Sequence, residues 1–113
     1  MPNERRLRKR IDLLIHLLVT DLATGQAIGR VVDANLSGCL VLSDKHFVEG
    51  TPLELNVELP EPHEGQPYVY CKATVIRSEP AENPQFNLIA LEITYMRHED
   101  TKLFESVILA LAM

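Results

Sequence analysis

A strict alternation of apolar and polar residues at positions 52–59 is the feature that most restricts how this chain folds. In this segment, PLELNVEL, leucine or valine occupies every second position from 53 to 59, and glutamate or asparagine lies between. Because successive side chains of a β-strand point to opposite faces, the pattern predicts a strand with one buried and one exposed face. It is the strongest strand signal in the chain.

Five further segments predict strands at the spacing of hairpins. They are residues 11–22, 27–34, 39–42, 68–77 and 86–95. The first is expected to be buried mainly on the face that carries Ile11, Leu13, Ile15, Leu17 and Val19. A helix is the competing interpretation of this first segment, but its β-branched residues and the turn that follows favour a strand. Residues 60–67 contain three prolines and a glycine, which predicts an exposed loop.

The apolar period changes near the end of the chain. Between residues 98 and 113, apolar residues recur at steps of three and four, which predicts an amphipathic helix. Glu99 and Asp100 fall in its first turn, where the helix dipole favours carboxylates. A chain of 113 residues is one domain. The expected fold is mainly β: a six-stranded antiparallel β-barrel at 11–113 with a C-terminal helix at about 98–113, preceded by a flexible basic N-terminal arm at 1–10.

Positive charge is concentrated at the start of an otherwise acidic chain. Residues 4–10, ERRLRKR, hold five of the 11 Lys and Arg residues; the rest of the chain has 6 basic and 15 acidic residues, a net charge of −9. This cluster predicts a local site for an anion, which is a phosphate-bearing ligand, a nucleic acid, a membrane surface or an acidic protein. The net charge of −5 for the whole chain argues against DNA as the partner.

The chain lacks the patterns of secreted and membrane proteins. Its charged start does not resemble a secretory signal. The apolar stretch at 11–19 is too short to span a bilayer and is interrupted by Asp12 and His16. Cys39 and Cys71 stand apart from any metal-binding motif, so we expect two reduced, partly buried thiols in a cytoplasmic protein with no membrane partner. A disulfide between them is the alternative, which no pattern in the sequence supports.

Arginines at a spacing of four are the first candidate binding motif. Arg6 and Arg10 are four positions apart, and Arg5 lies directly before Arg6. A guanidinium group is a planar fork of donors that binds phosphate bidentately and stacks on flat rings. The motif therefore suits a ligand that is both anionic and planar, such as a nucleotide. The alternative interpretation is a solvated basic tail.

A polar segment at the end of the second predicted strand is the other candidate. It contains Asp33, Asn35, Ser37 and Gly38. Alternate residues of an extended chain point to one side, so the carboxylate, amide and hydroxyl groups can face one ligand. Glycine permits close approach of the backbone. The alternative is an ordinary turn, since these residue types are the usual turn formers.

Together, the two segments resemble the motifs of the PilZ domain family, and the resemblance covers nearly the whole chain. PilZ domains are bacterial receptors for the second messenger cyclic di-GMP. In the family, an Arg-x-x-x-Arg arm wraps the ligand, and a segment of the form Asp or Asn-x-Ser-x-x-Gly holds it from the barrel surface. Arg6 and Arg10 match the arm, with Arg5 as an adjacent basic residue, and Asn35 and Ser37 match the first two positions of the second motif.

The third position of the second motif departs from the family pattern. Without gaps, Leu40 stands where the family has glycine. A second alignment begins at Asp33 and ends at Gly38, but it has Asn35 in place of the serine. A third keeps Asn35, Ser37 and Gly38 and loses two residues between the last two. A leucine where the backbone approaches the ligand disfavours binding, so a PilZ-fold module that acts only through protein contacts stays open as an alternative.

The resemblance implies a non-catalytic receptor that passes a signal to a protein partner. The residues that would bind cyclic di-GMP are Arg5, Arg6, Arg10, Asp33, Asn35, Ser37 and Gly38. No cofactor is implied, and the four histidines are scattered without metal-ligand spacing. No nucleophile has a recognisable base beside it, so no enzymatic mechanism is predicted. A homodimer is compatible with the apolar stripe of the terminal helix.

Overall fold

The structure, a computed structural model, describes residues 11–113 and contains six strands and one helix in this part of the chain. The elements are β1 (Ile11–Asp21), β2 (Gln26–Ala34), β3 (Gly38–Ser43), β4 (Pro52–His63), β5 (Gln66–Pro80), β6 (Asn87–Tyr95) and α1 (His98–Ala110). Neighbouring strands are antiparallel and form a closed barrel in the order β1-β2-β3-β6-β5-β4. The predicted antiparallel barrel with a C-terminal helix is therefore confirmed.

The barrel closes where β1 meets β4. Val19 pairs with Val57, and Thr20 pairs with Asn56. Among the described residues, this pairing is limited to residues 19–21 of β1 and 55–57 of β4. The strand side chains that point inward are mostly aliphatic, and the largest fully buried ones in the described strands are Leu13, Val19, Val31, Val41, Leu55, Val69, Val75 and Ile89.

The helix α1 packs on the barrel through one face. Phe104 and Ile108 are one turn apart and are 1% and 0% exposed. At the start of α1, the buried carboxylate of Asp100 accepts hydrogen bonds from Arg97 Nη2 and from Gln66 Nε2, both at 3.2 Å. Because Gln66 begins β5, this contact holds the first turn of the helix against the sheet.

The helix ends at Ala110, before the expected end near residue 113. The Leu14 N–H donates to the Leu111 carbonyl at 2.8 Å, and the Met113 N–H donates to the Asp12 carbonyl at 3.1 Å. These bonds to β1 take the place of further helical bonds. The apolar period continues past Ala110, which is why the sequence did not indicate the end.

One side-chain direction in β1 was predicted wrongly. Ile15 is 55% exposed, whereas Leu13 and Val19, on the same predicted face, are buried. The pairing of β1 with β2 is interrupted between Asp12 and Leu17, where β1 contains extra residues. A bulge of this kind breaks the period of two, so a residue inside it can turn away from the core.

The proline-rich segment at 60–67 is exposed as predicted, but it is part of a hairpin and not a loop. β4 continues to His63 and β5 begins at Gln66, so the turn contains only Glu64 and Gly65. Both turn residues have positive φ, 49° and 81°, as in the two-residue turns that match the twist of a hairpin. The strand register shifts just before His63. Prolines are tolerated at such an irregularity because the ladder needs no N–H group there.

Candidate functional site

The turn between β2 and β3 is organised by Asn35. Its side-chain Oδ1 accepts hydrogen bonds from the backbone N–H groups of Ser37 at 2.8 Å and of Gly38 at 2.9 Å. The Asn35 N–H donates to the Gly38 carbonyl at 2.9 Å. Asparagine favours such turns because its short side chain reaches the backbone N–H two residues ahead. The local sequence therefore holds residues 35–38 in one conformation.

Gly38 lies so close to β6 that no side chain fits there. It pairs with Glu92, and a β-carbon at position 38 would lie 2.2 Å from the carbonyl oxygen of Leu91. The Ile93 N–H also donates to the Ser37 carbonyl at 2.8 Å. Glycine at this position permits the close approach of the two strands. The turn is thereby fixed against β6.

An open cavity of about 460 Å³ lies beside this turn. It is lined by Asn35, Ser37, Gly38, Cys39, Ile76, Arg77, Ala90, Leu91 and Glu92. We call it the Asn35 cavity. It joins the β2–β3 turn to β5 and β6, and its volume lies in the range of small-molecule sites, roughly 300–1,000 Å³.

The lining of the Asn35 cavity contains one cation and one carboxylate. The Arg77 Nε atom lies 3.3 Å from Glu79 Oε1, and both side chains are about half exposed. Solvent weakens such a pair, so the guanidinium group stays able to bind an added anion. Glu92 repels anions but accepts hydrogen bonds from N–H groups. The cavity therefore suits a ligand that presents phosphate and N–H donors at different places.

Both cysteines are buried and neither forms a disulfide bond, as their isolation in the sequence indicated. Cys39 lines the Asn35 cavity and is 5% exposed. Burial raises the pKa of the Cys71 thiol to about 11, so this thiol stays protonated at neutral pH. Burial and protonation both lower the reactivity of Cys71, which points to a structural side chain.

The described residues, 11–113, provide neither a cluster of metal ligands nor a membrane-spanning helix. This range contains no group of three or more His, Cys, Asp or Glu side chains arranged to hold a metal ion. The helix within the described range is not long and apolar enough to cross a membrane.

Three of the predicted binding residues are brought together, and a fourth is separate. Asn35, Ser37 and Gly38 line the Asn35 cavity. Asp33 is half-buried in β2, pairs with Leu40 and does not line the cavity; neither does Leu40. The three predicted residues that lie outside the described range are Arg5, Arg6 and Arg10. Ligand binding by these residues stays a prediction.

Sequence reasoning missed the three exposed residues that β5 and β6 bring to the cavity. They are Ile76, Arg77 and Glu92. None belongs to a recognisable motif, and they lie far along the chain from the Asn35 turn. The pairing of β3 with β6 and of β6 with β5 brings them there. The only local signal was a charged residue at the end of the predicted strand at 68–77.

Solved structures of other proteins share this fold, and two of them come from Bacillus subtilis and Escherichia coli. The structure of the Bacillus subtilis inhibitor of motility (MotI/DgrA) has a TM-score of 0.73 and 19% identity, and the match covers 91% of this chain and 49% of that one. This chain thus spans about half of the Bacillus chain. The PilZ domain with c-di-GMP of YcgR from Escherichia coli has a TM-score of 0.65 and 15% identity, with 91% of this chain and 88% of that chain covered. At these identities the likeness shows the fold alone.

No curated protein matches this sequence, but the model of a protein family does. The model of the family described as PilZ domain matches residues 4–110, which include the basic segment, the Asn35 turn, the six strands and α1. Because this match covers nearly the whole chain, the chain belongs to the PilZ domain family.

Proposed function

We propose that this chain is a cytoplasmic, non-catalytic receptor that binds cyclic di-GMP at the Asn35 cavity. The observation that carries the proposal is the meeting of Asn35, Ser37 and Gly38 at one cavity of about 460 Å³. Membership of the PilZ family supports it, as does the Escherichia coli PilZ domain of the same fold, whose structure is described with c-di-GMP.

The basic segment at 4–10 would add net positive charge to a cavity whose one cation among the described residues, Arg77, is balanced by the carboxylate of Glu92. The segment carries a net charge of +4 on a remainder of −9. In the proposed complex, Arg6 and Arg10 bind the phosphates and stack on guanine, and Arg5 adds charge beside them. Asn35 and Ser37 contact the ligand from the barrel. Asp33 has at most an indirect part, because it does not line the cavity.

Of the three alignments of the second motif, the geometry favours the third, which keeps Asn35, Ser37 and Gly38, because these three residues line the cavity and Asp33 does not. Gly38 lines the Asn35 cavity, and its hydrogen atom occupies a place where a β-carbon would meet the Leu91 carbonyl. Leu40 lies within β3, half-buried and outside the cavity lining. A leucine at position 40 therefore does not obstruct a ligand held by Asn35 and Ser37.

Ligand binding would alter the surface offered to a protein partner. A ligand that bridges residues 4–10 and the Asn35 cavity fixes the basic segment over β3 and β6. The phosphates then neutralise the positive charge of this segment, so the segment can no longer bind another anionic surface. A partner protein that binds only the uncovered cavity, or only the covered one, would distinguish the ligand-free receptor from the ligand-bound receptor.

Calorimetric titration with cyclic di-GMP, with GTP as a control, tests the proposal. Saturable binding at micromolar or tighter affinity is expected for cyclic di-GMP. Arg6→Ala or Arg10→Ala should each cost at least ~1.5 kcal/mol of binding free energy, the lower end for a charge-assisted hydrogen bond. Lys102→Ala, on α1, is the matched control and should bind normally. Unchanged affinity in both arginine variants would overturn the assignment of the arm.

The second candidate function is a protein-interaction module of the same fold that binds no nucleotide. The carboxylate of Glu92 in the cavity favours it, because a negative charge opposes a ligand with two phosphates. Limited proteolysis with trypsin separates the two candidates, since residues 4–10 contain five cleavage sites. Protection of this segment by cyclic di-GMP supports the receptor, and cleavage that ignores the ligand supports the interaction module.

A further inference from the structure

All three tyrosines of this chain lie on one part of the barrel surface. Tyr68 and Tyr70 are two positions apart on β5 and so point to the same side. The rings of Tyr70 and Tyr95 are 6.4 Å apart between centroids and tilted by 59°. Tyr68 and Tyr95 are 41% and 49% exposed. Such a concentration is notable because the chain has only three tyrosines and no tryptophan.

Two glutamates of β4 complete this surface, which we call the tyrosine face: Tyr68, Tyr70, Tyr95, Glu54 and Glu58. Glu58 pairs with Tyr68 across the β4–β5 ladder. The hydroxyl of Tyr70 donates a hydrogen bond to the Glu54 carboxylate. The strand alternation that buries the leucines and valines of β4 leaves these polar groups outside.

The charge on the tyrosine face is mainly negative. The nearby cation, Lys72, lies with its Nζ atom 6.0 Å from the centre of the Tyr95 ring. Lys72 also pairs with Glu54 in the strand register. At the other end of the face, Tyr68 and Glu58 line a second cavity, and none of the described residues around that cavity is basic. This end therefore offers a carboxylate and an aromatic ring to an incoming positive group.

A cavity of about 320 Å³ lies at that end. It is lined by Thr20, Asn56, Glu58, Pro67 and Tyr68. A guanidinium group stacks on an aromatic ring while its N–H groups bind a carboxylate and an amide oxygen. The ring of Tyr68, the carboxylate of Glu58 and the amide of Asn56 supply these three contacts within one cavity.

We propose that the tyrosine face docks an arginine-bearing basic segment of a protein partner. Tyrosine is enriched at the energetic centres of protein interfaces, where its ring packs and its hydroxyl group hydrogen-bonds. The carboxylates select positive charge, and the ring beside Glu58 selects arginine over lysine. None of these residues lines the Asn35 cavity, so the docking surface does not depend on nucleotide binding.

An extended peptide with arginines at every second position is the probe, because alternate side chains of a strand-like peptide face the same surface. Two companion peptides carry lysine or glutamate in place of arginine. Each is titrated into the full chain, without cyclic di-GMP, and backbone amide shifts are recorded by NMR. Saturable shifts are expected around Thr20, Tyr95 and residues 54–58 and 68–72, and nowhere else. They should be stronger for arginine than for lysine and absent for glutamate.

Paired variants separate local recognition from net charge. Glu58→Gln and Tyr68→Ala should each weaken binding of the arginine peptide by about fivefold or more, as the loss of an ion pair or a cation–π contact predicts. Glu82→Gln removes the same charge from the exposed β5–β6 turn and should leave binding unchanged. Amide spectra of each variant establish that the barrel is intact, since both substituted side chains are exposed.

Three results would overturn the proposal. The first is no saturable binding of the arginine peptide at millimolar concentration. The second is equal loss in the Glu58→Gln and Glu82→Gln variants, which would indicate attraction by net charge alone. The third is self-association of the free chain that Tyr68→Ala abolishes, which would assign the face to a second copy of this chain.

Discussion

The Asn35 cavity and the core beneath α1 belong to one barrel but are built from opposite kinds of residue. The core contact depends on Phe104 and Ile108, which are almost completely buried and apolar. The cavity depends on a turn in which the Asn35 side chain accepts hydrogen bonds from the N–H groups of Ser37 and Gly38, and in which the Ser37 side chain is exposed. Burial of apolar area supplies most of the folding free energy, whereas exposed polar groups supply little. Stability and ligand binding should therefore respond to different substitutions.

The largest effect is expected from Phe104→Ala. Removing a buried phenylalanine leaves a cavity and lowers the free energy of unfolding by about 3–5 kcal/mol. Denaturant titration followed by circular dichroism measures the loss. Cyclic di-GMP affinity of the folded fraction should not change, because Phe104 does not line the Asn35 cavity.

The control for Phe104→Ala is Leu109→Ala on the same helix. Leu109 is 37% exposed, so its truncation should cost much less than that of Phe104. Equal losses for the two variants would contradict the assignment of α1 packing to the Phe104 face. A loss of ligand affinity in the folded Phe104→Ala protein would break the separation between core and cavity.

Gly38→Ala should come next, and it is the one substitution expected to lower both the stability of the barrel and its affinity for the ligand. The added β-carbon would overlap the Leu91 carbonyl oxygen, so β3 and β6 must move apart. Overpacking of this kind costs about 1–3 kcal/mol of stability. Because Gly38 and Leu91 both line the Asn35 cavity, ligand affinity should fall as well.

Gly25→Ala is the matched control for Gly38→Ala. Gly25 has a φ of +74° and open space around it, so alanine there introduces backbone strain without a clash. It should lower stability slightly and leave cyclic di-GMP affinity unchanged. Normal ligand affinity in Gly38→Ala would show that the spacing of β3 and β6 does not shape the site.

The parts of the molecule that sequence predicted well are those set by neighbouring residues. The alternation at 52–59 gives β4 its buried and exposed faces, and Asn35 forms its turn with residues two and three positions ahead. The period of three and four gives α1 its buried face, with Phe104 and Ile108 one turn apart. Each pattern acts within a few residues of the chain.

The parts that sequence missed depend on which strands become neighbours. Arg77 and Glu92 reach the Asn35 cavity because β6 lies between β3 and β5, an order that no local pattern encodes. Ile15 faces solvent because β1 bulges against β2, and α1 stops at Ala110 because the following residues bond to β1. The requirement for glycine at position 38 likewise arises from the Leu91 carbonyl of another strand.

Ser37→Ala isolates the binding side of the comparison. Ser37 is exposed, so removal of its hydroxyl group should leave stability within about 0.5 kcal/mol of the original. If the hydroxyl group binds the ligand, affinity for cyclic di-GMP should fall by about 0.5–1.5 kcal/mol. Ser106→Ala, on the exposed side of α1, is the control and should bind normally. A large loss of stability in Ser37→Ala, or no loss of affinity, would contradict the proposed contact.

Glu54→Gln should change neither stability nor ligand binding noticeably, but it should change the titration of Tyr70. The hydrogen bond from the Tyr70 hydroxyl to the Glu54 carboxylate, followed by minor desolvation, raises the pKa of Tyr70 to about 12 from an ordinary 10.0. The carboxylate favours the protonated phenol and repels the phenolate, so neutral glutamine should lower the pKa of Tyr70 towards its ordinary value. NMR of ring-labelled tyrosine through alkaline pH measures the change, with Tyr70→Phe to assign the signal.

Glu58→Gln, beside Tyr68, should leave Tyr70 unaffected. An unaltered Tyr70 titration in Glu54→Gln would mean that this hydrogen bond does not persist in solution, and that Glu54 is available to a partner on the tyrosine face.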